Sequence, residues 1–253
     1  MFFYIRKNVF LILPLYILLS FSAKNANADN KLSKQTLNEN TYGFRIGATR
    51  VIYNQGSPSA SFWIKNEQEY PIIVQTQVLK DDRESKAPFI VTPPILRVDS
   101  NIQTRLRVIP IAPLQNKDSE ELFWICVKGV PPKEEVSKKK SNIEEKSQLN
   151  INIITNSCIK LISRPERIEL SIKEASKKLV FKKQGDSLVI ENKTPVYINI
   201  SKAMINGKKI TIPNGYIRPY SKEIVDIKYR SGDKILLVVL DDYGAEIINE
   251  VIL

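Results

Sequence analysis

The feature that most constrains this chain is its two-residue rhythm. Short runs alternate apolar and polar positions and are rich in β-branched and aromatic residues: FRIGATRVIYN (44–54), SASFWIKN (59–66), PIIVQTQVLK (71–80), QTRLRVIPI (103–111), ELFWICVKGV (121–130) and LNINIITNSCIKLI (149–162). Gly, Pro, Asn or Asp separate them, the punctuation expected of an all-β protein. In 103–108 the alternation puts Gln103, Arg105 and Arg107 on a solvent face. Outside the N-terminus no long window keeps a 3.6-residue period, and only Ser171 to Lys178 predicts a turn or two of helix.

Regular strands with frequent turn signals predict an immunoglobulin-like β-sandwich, and the pattern occurs twice. The first unit runs from about Tyr42 to Ser163. Arg164-Pro165-Glu166 interrupts it, and a second unit follows with KLVFKKQ, SLVIEN, VYINISKAMI, KKITIP, KEIVDIKY, KILLVVLDD and EIINEVIL. The expected division is a domain over 29–164 and another over 165–253. So short a connection sets the two sandwiches at an angle and leaves an interdomain cleft, a common place for a binding site. Pro131-Pro132 ends one strand, and the polar, charged stretch 133–148 follows, long for a loop between neighbouring strands.

Residues 1–28 read as a secretory signal peptide: Arg6 and Lys7, an apolar run from Val9 to about Phe21, then Ala26-Asn27-Ala28. The alternative is an uncleaved anchor, but the run is short and interrupted by Pro14. Cleavage starts the mature chain near Asp29, and no later stretch is long and apolar enough to insert in a membrane. The 38 lysines and arginines exceed the 27 acidic residues by eleven, and by about eight without Arg6, Lys7 and Lys24. A basic balance suits nucleic acid or a membrane surface. Export argues against nucleic acid, and the charges are dispersed apart from Lys138-Lys139-Lys140.

The chain has no histidine, which excludes Ser-His-Asp and Cys-His nucleophile pairs and histidine-ligated zinc. Two cysteines cannot build a cysteine-rich metal site, and neither a metal nor a cofactor is expected. Asp241-Asp242 is a poor catalytic pair, because adjacent strand residues face opposite ways. An enzyme is therefore not expected. In an exported chain Cys126 and Cys158 suggest one disulfide, if their strands lie side by side; the alternative is two buried thiols.

The stretch NSCIKLISRPERIEL (156–170) is the odd one. Cys158, Ile159, Leu161 and Ile162 read as strand interior, yet Lys160 and Arg164 carry charges among and after them. Just upstream, Leu149, Ile151 and Ile153 share a face. That row either packs inside its own domain or belongs to an unpaired edge strand able to complete another β-protein.

Several segments bear on that choice. CIKLISRP (158–165) resembles the Lys-apolar-apolar-X-Arg-Pro segment of periplasmic chaperones of the chaperone/usher pathway, the PapD-like family. EELFWICVKGVPP (120–132) resembles that family's signature, VTPPILRVDS (91–100) its Thr-Pro-Pro turn, GATRVIYN (47–54) its first strand, and LDDYG (240–244) a segment of its second domain. The matches keep their order and span nearly the whole mature chain. Ser119 and Glu121 depart from the family's usual neighbours of Glu120, at positions read as surface.

The resemblance implies a periplasmic, non-enzymatic chaperone that caps fimbrial or capsule-like fibre subunits by donor-strand complementation and delivers them to an outer-membrane usher. It implies that Arg50 and Lys160 anchor a subunit's C-terminal carboxylate. Leu149, Ile151 and Ile153 become the donor strand. Glu120, Arg164 and Asp242 form an interdomain salt-bridge network. Cys126 and Cys158 come to lie on adjacent strands, and with the long loop they resemble the long-loop branch serving thin fibres. Such a protein can also cap its own strand as a homo-oligomer. The competing reading is a structural subunit or adhesin of a surface fibre, disfavoured because NKLSKQTLNENTYG (30–43) lacks the apolar residues of a donor segment.

Overall fold

The computed structural model describes residues 36–130 and 148–253. The expectations for the leader 1–28 and for the loop up to residue 147 lie outside them. Among the described residues, the first unit holds β1 (Thr36–Tyr42), β2 (Arg45–Ile46), β3 (Arg50–Asn54), β4 (Ala60–Lys65), β5 (Ile72–Leu79), β6 (Phe89–Thr92), β7 (Ile95–Val98), β8 (Gln103–Pro110), β9 (Glu121–Val130), β10 (Gln148–Ile154) and β11 (Asn156–Arg164). The second holds α1 (Ile172–Lys177), β12 (Val180–Gln184), β13 (Ser187–Asn192), β14 (Ile198–Ile205), β15 (Lys208–Ile210), β16 (Tyr216–Ile217), β17 (Ser221–Asp226), β18 (Lys234–Leu240) and β19 (Glu246–Ile252).

Each unit is a sandwich of two sheets, as the alternation predicts. In the first, β3-β11-β9-β5-β7 packs on β2-β4-β8-β6. Between them lies a core of Ile64, Val74, Leu106, Val108, Phe123, Ile125, Val127 and Leu161, all at most 2% exposed. Edge-on ring contacts from Phe89 to Tyr53 and Phe123 cross it. Arg105 and Arg107 face solvent as expected. In the second unit β12-β13-β17 faces a sheet ordered β15-β14-β18-β19, and Leu188, Ile190, Ile198, Ile217, Ile235 and Val239 are fully buried. Burying each such Leu or Ile contributes about 1.5–3 kcal/mol. The short helix appears where expected, with Ser171 and Glu174 forming a reciprocal capping box. No helix among the described residues is long and apolar enough to cross a membrane.

The sheet containing β9 departs from simple alternation. Leu122 to Val127 are all buried. Phe123, Ile125 and Val127 enter the first core. Leu122, Trp124 and Cys126 join Leu79 and Ile162 in a second apolar layer closed by Tyr197 and Tyr216 of the other unit. A sandwich strand normally wets one face. This one is dry on both because the second domain packs on its outer side.

Two expectations need correction. The first unit starts before Tyr42: Thr36–Tyr42 pairs in parallel with β10, from Thr36↔Gln148 to Tyr42↔Ile154. Its polar composition hid it, because the segment gains backbone pairing without contributing a large apolar face. Gly129 permits the junction, since a Cβ there would lie 2.1 Å from the Tyr42 carbonyl oxygen. Cys158, read as strand interior, is exposed, and Ile159 is only half-buried; the dry part of β11 is Leu161 to Ser163.

Candidate functional site

The register of three strands builds the site. Parallel pairing of β11 with β3 sets Lys160 opposite Arg50. Antiparallel pairing with β9 sets Lys160 opposite Trp124 and Cys158 opposite Cys126. Period-two alternation then puts Arg50, Lys160 and Trp124 in one row on the face turned to the second domain. Lys160 is therefore not on a sheet edge: its strand is flanked on both sides.

The second domain answers with its own row. Asn199 pairs with Tyr216 on β16 and with Leu240 on β18. The two rows meet in the cleft. The Lys160 ammonium donates to Asn199 Oδ1 at 2.6 Å and lies 4.4 Å from the Tyr216 ring centre. Arg50 Nη1 donates to the Leu240 carbonyl at 3.4 Å, a long bond. Arg50 is 8% exposed, and its Nε–H has no acceptor; neither has the buried Trp124 Nε1–H. The Arg83 guanidinium stacks 3.9 Å above the Trp124 ring.

Two like charges side by side in a half-dry cleft are costly unless an anion joins them. Burial, reinforced by Arg50 and then Arg83, pulls the Lys160 ammonium down to about 8. Burial also lowers Arg50, against the opposing pull of Asp242 and Asp241. What the row offers chemically is cationic donors with spare hydrogen-bonding capacity, the complement of a carboxylate.

Arg164 at the end of β11 joins Glu120 and Asp242. Its Nε donates to Glu120 Oε1 at 2.6 Å, and Nη1 and Nη2 donate to the two Asp242 oxygens at 2.7 and 2.8 Å. Glu120 Oε2 accepts the Tyr197 amide at 2.6 Å. Burial pushes the Glu120 carboxyl up while Arg164 and that amide pull it back; the two carboxylates hold Arg164 well above its ordinary range despite its burial. Sequence reasoning missed a further cross-domain ion pair, Asp81 with Arg218. No motif marked either residue, and only the packing of the β5–β6 loop against β16 brings them together.

The cysteines form a disulfide, with S–S 2.01 Å across 32 residues, two residues before Lys160 on the same face. Beyond them β10 leaves the body of the sheet paired with β1. Ile151 and Ile153 share a face, 39% and 42% exposed, so this part of the row does not pack in its own core. Leu149 shares their register parity on β10, opposite Leu37. No cluster of metal-ligating side chains occurs among the described residues.

Comparison with known proteins bears on this arrangement. Residues 43–169 match the pili and flagellar-assembly chaperone family, PapD N-terminal domain, and residues 174–250 match the pili assembly chaperone PapD C-terminal domain. Chaperone protein SefB of Salmonella enteritidis is 48% identical over 98% of this chain and 97% of its own length. Chaperone protein caf1M of Yersinia pestis is 34% identical over 83% of this chain and 82% of its own. Among solved structures, the Escherichia coli chaperone DraB superposes with a TM-score of 0.74 at 35% identity, covering 86% of this chain and all of DraB. The SafB chaperone of Salmonella enterica, solved in complex with the SafA pilin, gives 0.73 at 33% identity, covering 85% of this chain and all of the matched chain. With both domain types matched in order and the cleft assembled between them, the chain belongs to the PapD-like family of pilus-assembly chaperones.

Proposed function

We propose that this protein is a periplasmic chaperone that binds fimbrial or capsule-like fibre subunits, completes each one's fold by donor-strand complementation and hands it to an outer-membrane usher. The observation that carries this reading is the Arg50–Lys160 pair, two adjacent cations at the base of a strand whose upstream half projects with exposed isoleucines. Arg50 and Lys160 anchor the subunit's C-terminal carboxylate. Leu149, Ile151 and Ile153 enter the subunit's open core, while the backbone of β10 supplies pairing. The anchored carboxylate sets the register, because a one-residue slip would turn every apolar side chain to the wrong face.

In this reading residues 1–28 direct export and are removed, 29–164 form the capturing domain and 165–253 the second domain. The Glu120–Arg164–Asp242 network holds the angle between them, and the disulfide clamps the base of the long loop, in keeping with the long-loop branch. The protein is not an enzyme and needs no cofactor. SafB's capture of a pilin, in a protein 33% identical to this one, supports the partner class.

Periplasmic co-expression with a candidate subunit tests the reading. A one-to-one complex is expected with the wild-type protein, with N-terminal sequencing of the product starting near Asp29. Capture should fall at least tenfold for Arg50→Ala and for Lys160→Ala. Full capture by both variants would refute the anchor.

A further inference from the structure

The Arg50–Lys160 pair stands on the first domain, yet the groups that hold Lys160 come from the second. Its ammonium has three N–H donors. One is committed to Asn199 Oδ1 at 2.6 Å, and the Tyr216 ring lies 4.4 Å away. Asn199 is only 3% exposed and points away from the second core, where its neighbour Ile198 is fully buried. It lies between Leu240, whose carbonyl accepts from Arg50, and Tyr216. Leu240, Asn199 and Tyr216 thus face Arg50 and Lys160 in register across the cleft. A lysine on a flexible four-carbon stem, repelled by Arg50 and Arg83, would otherwise swing to solvent.

Building on the anchor reading above, we propose that Asn199 is a positioning residue for carboxylate capture: by accepting from Lys160 Nζ it fixes the ammonium beside Arg50, so the anion site is complete only when the second domain is docked. The neutral amide suits this task. It orients the cation without neutralising it, leaving its charge and remaining donors for the incoming carboxylate. A carboxylate at position 199 would occupy the site from within.

The test uses the full mature protein and two probes: an acetylated apolar peptide with a free C-terminal carboxylate, and the same peptide amidated. The readout is the ratio of their dissociation constants. The wild-type protein should prefer the free carboxylate at least tenfold at pH 7. Absence of that preference would overturn the anchor itself and this inference with it. Asn199→Ala should lose most of the preference, and Asn199→Thr, which keeps an acceptor oxygen, should restore part of it. Asn199→Asp should abolish the preference without lowering the melting temperature, because Lys160 gains an internal counter-ion.

The pH at which the preference declines gives a readout that a merely structural role would not move. The charged groups facing Lys160 are Arg50 and Arg83, with Tyr216 beneath it. Removing the acceptor disfavours the ammonium, so the decline should shift to lower pH in Asn199→Ala. A wild-type preference retained in full by the Ala variant would overturn the positioning role while leaving the anchor intact. Should the Ala variant fail to fold, the Thr variant decides alone: a reduced but measurable preference supports the role, and an undiminished one overturns it.

Discussion

At the residue scale the informative group is Lys160. Its ammonium is drawn down to about 8 by burial and by Arg50, against 10.5 for a free lysine. Two opposite pH trends follow. The unfolded chain holds this proton more tightly than the folded one, so from this group folding stability rises between pH 8 and 10.5. Capture needs the charged form, so affinity for a carboxylate is full below about 8 and weakens as pH rises through it. Denaturation and peptide-binding series over the same pH range check both; affinity that stays flat up to pH 10 would exclude the ammonium from the anchor. Lys160→Met should abolish capture while changing the melting temperature little, because removing a half-desolvated cation beside Arg50 is offset by leaving the buried Asn199 Oδ1 without its donor. The sequence showed Lys160 as a charge in an apolar strand. It could not show Asn199 or Tyr216 beneath it, because they lie on strands of the other domain.

At the element scale, β10 and β11 form a nearly continuous stretch in two environments. β11 is locked between β3 and β9; β10 is paired with β1 and keeps its isoleucines wet. Replacing Ile151 and Ile153 together by Asn should therefore change stability little, within about 0.5 kcal/mol per surface site. Subunit capture should still fall by an order of magnitude or more, as measured by recovery of the one-to-one complex. A large drop in melting temperature would mean the row packs in its own domain. The disulfide belongs to this scale too. Closing a loop of 32 residues stabilises by about 3–4 kcal/mol in the chain-entropy account. Replacing both cysteines by Ala should lower stability by about that amount, read by urea denaturation. It should impair capture more than it perturbs the second domain; equal loss in both would make the bridge purely structural. Strand pattern identified β10 and β11, but β1 went unseen because a polar strand paired along one side lacks an apolar period.

At the scale of the whole molecule, the join between domains combines an apolar layer with a buried ion triad. Removing one member of such a triad leaves uncompensated charge and costs about 3–5 kcal/mol. Arg164→Ala should bear that cost, alter the small-angle scattering profile and reduce capture; unchanged scattering and capture would show that the network does not set the angle. Local sequence determined a great deal here: strand periodicity set the all-β class and the Arg164-Pro165 break separated the two sandwiches, while Arg50, Lys160, Glu120, Arg164 and Asp242 were singled out by the resemblance of short segments to the PapD-like chaperones. Those features are legible because alternation and turn chemistry act between residues close in the chain. Tertiary structure alone decided that β9 is dry on both faces, that Asp81 meets Arg218, and that Lys160 points at Asn199. Each depends on how one domain's sheet lies against the other, an arrangement set by long-range packing.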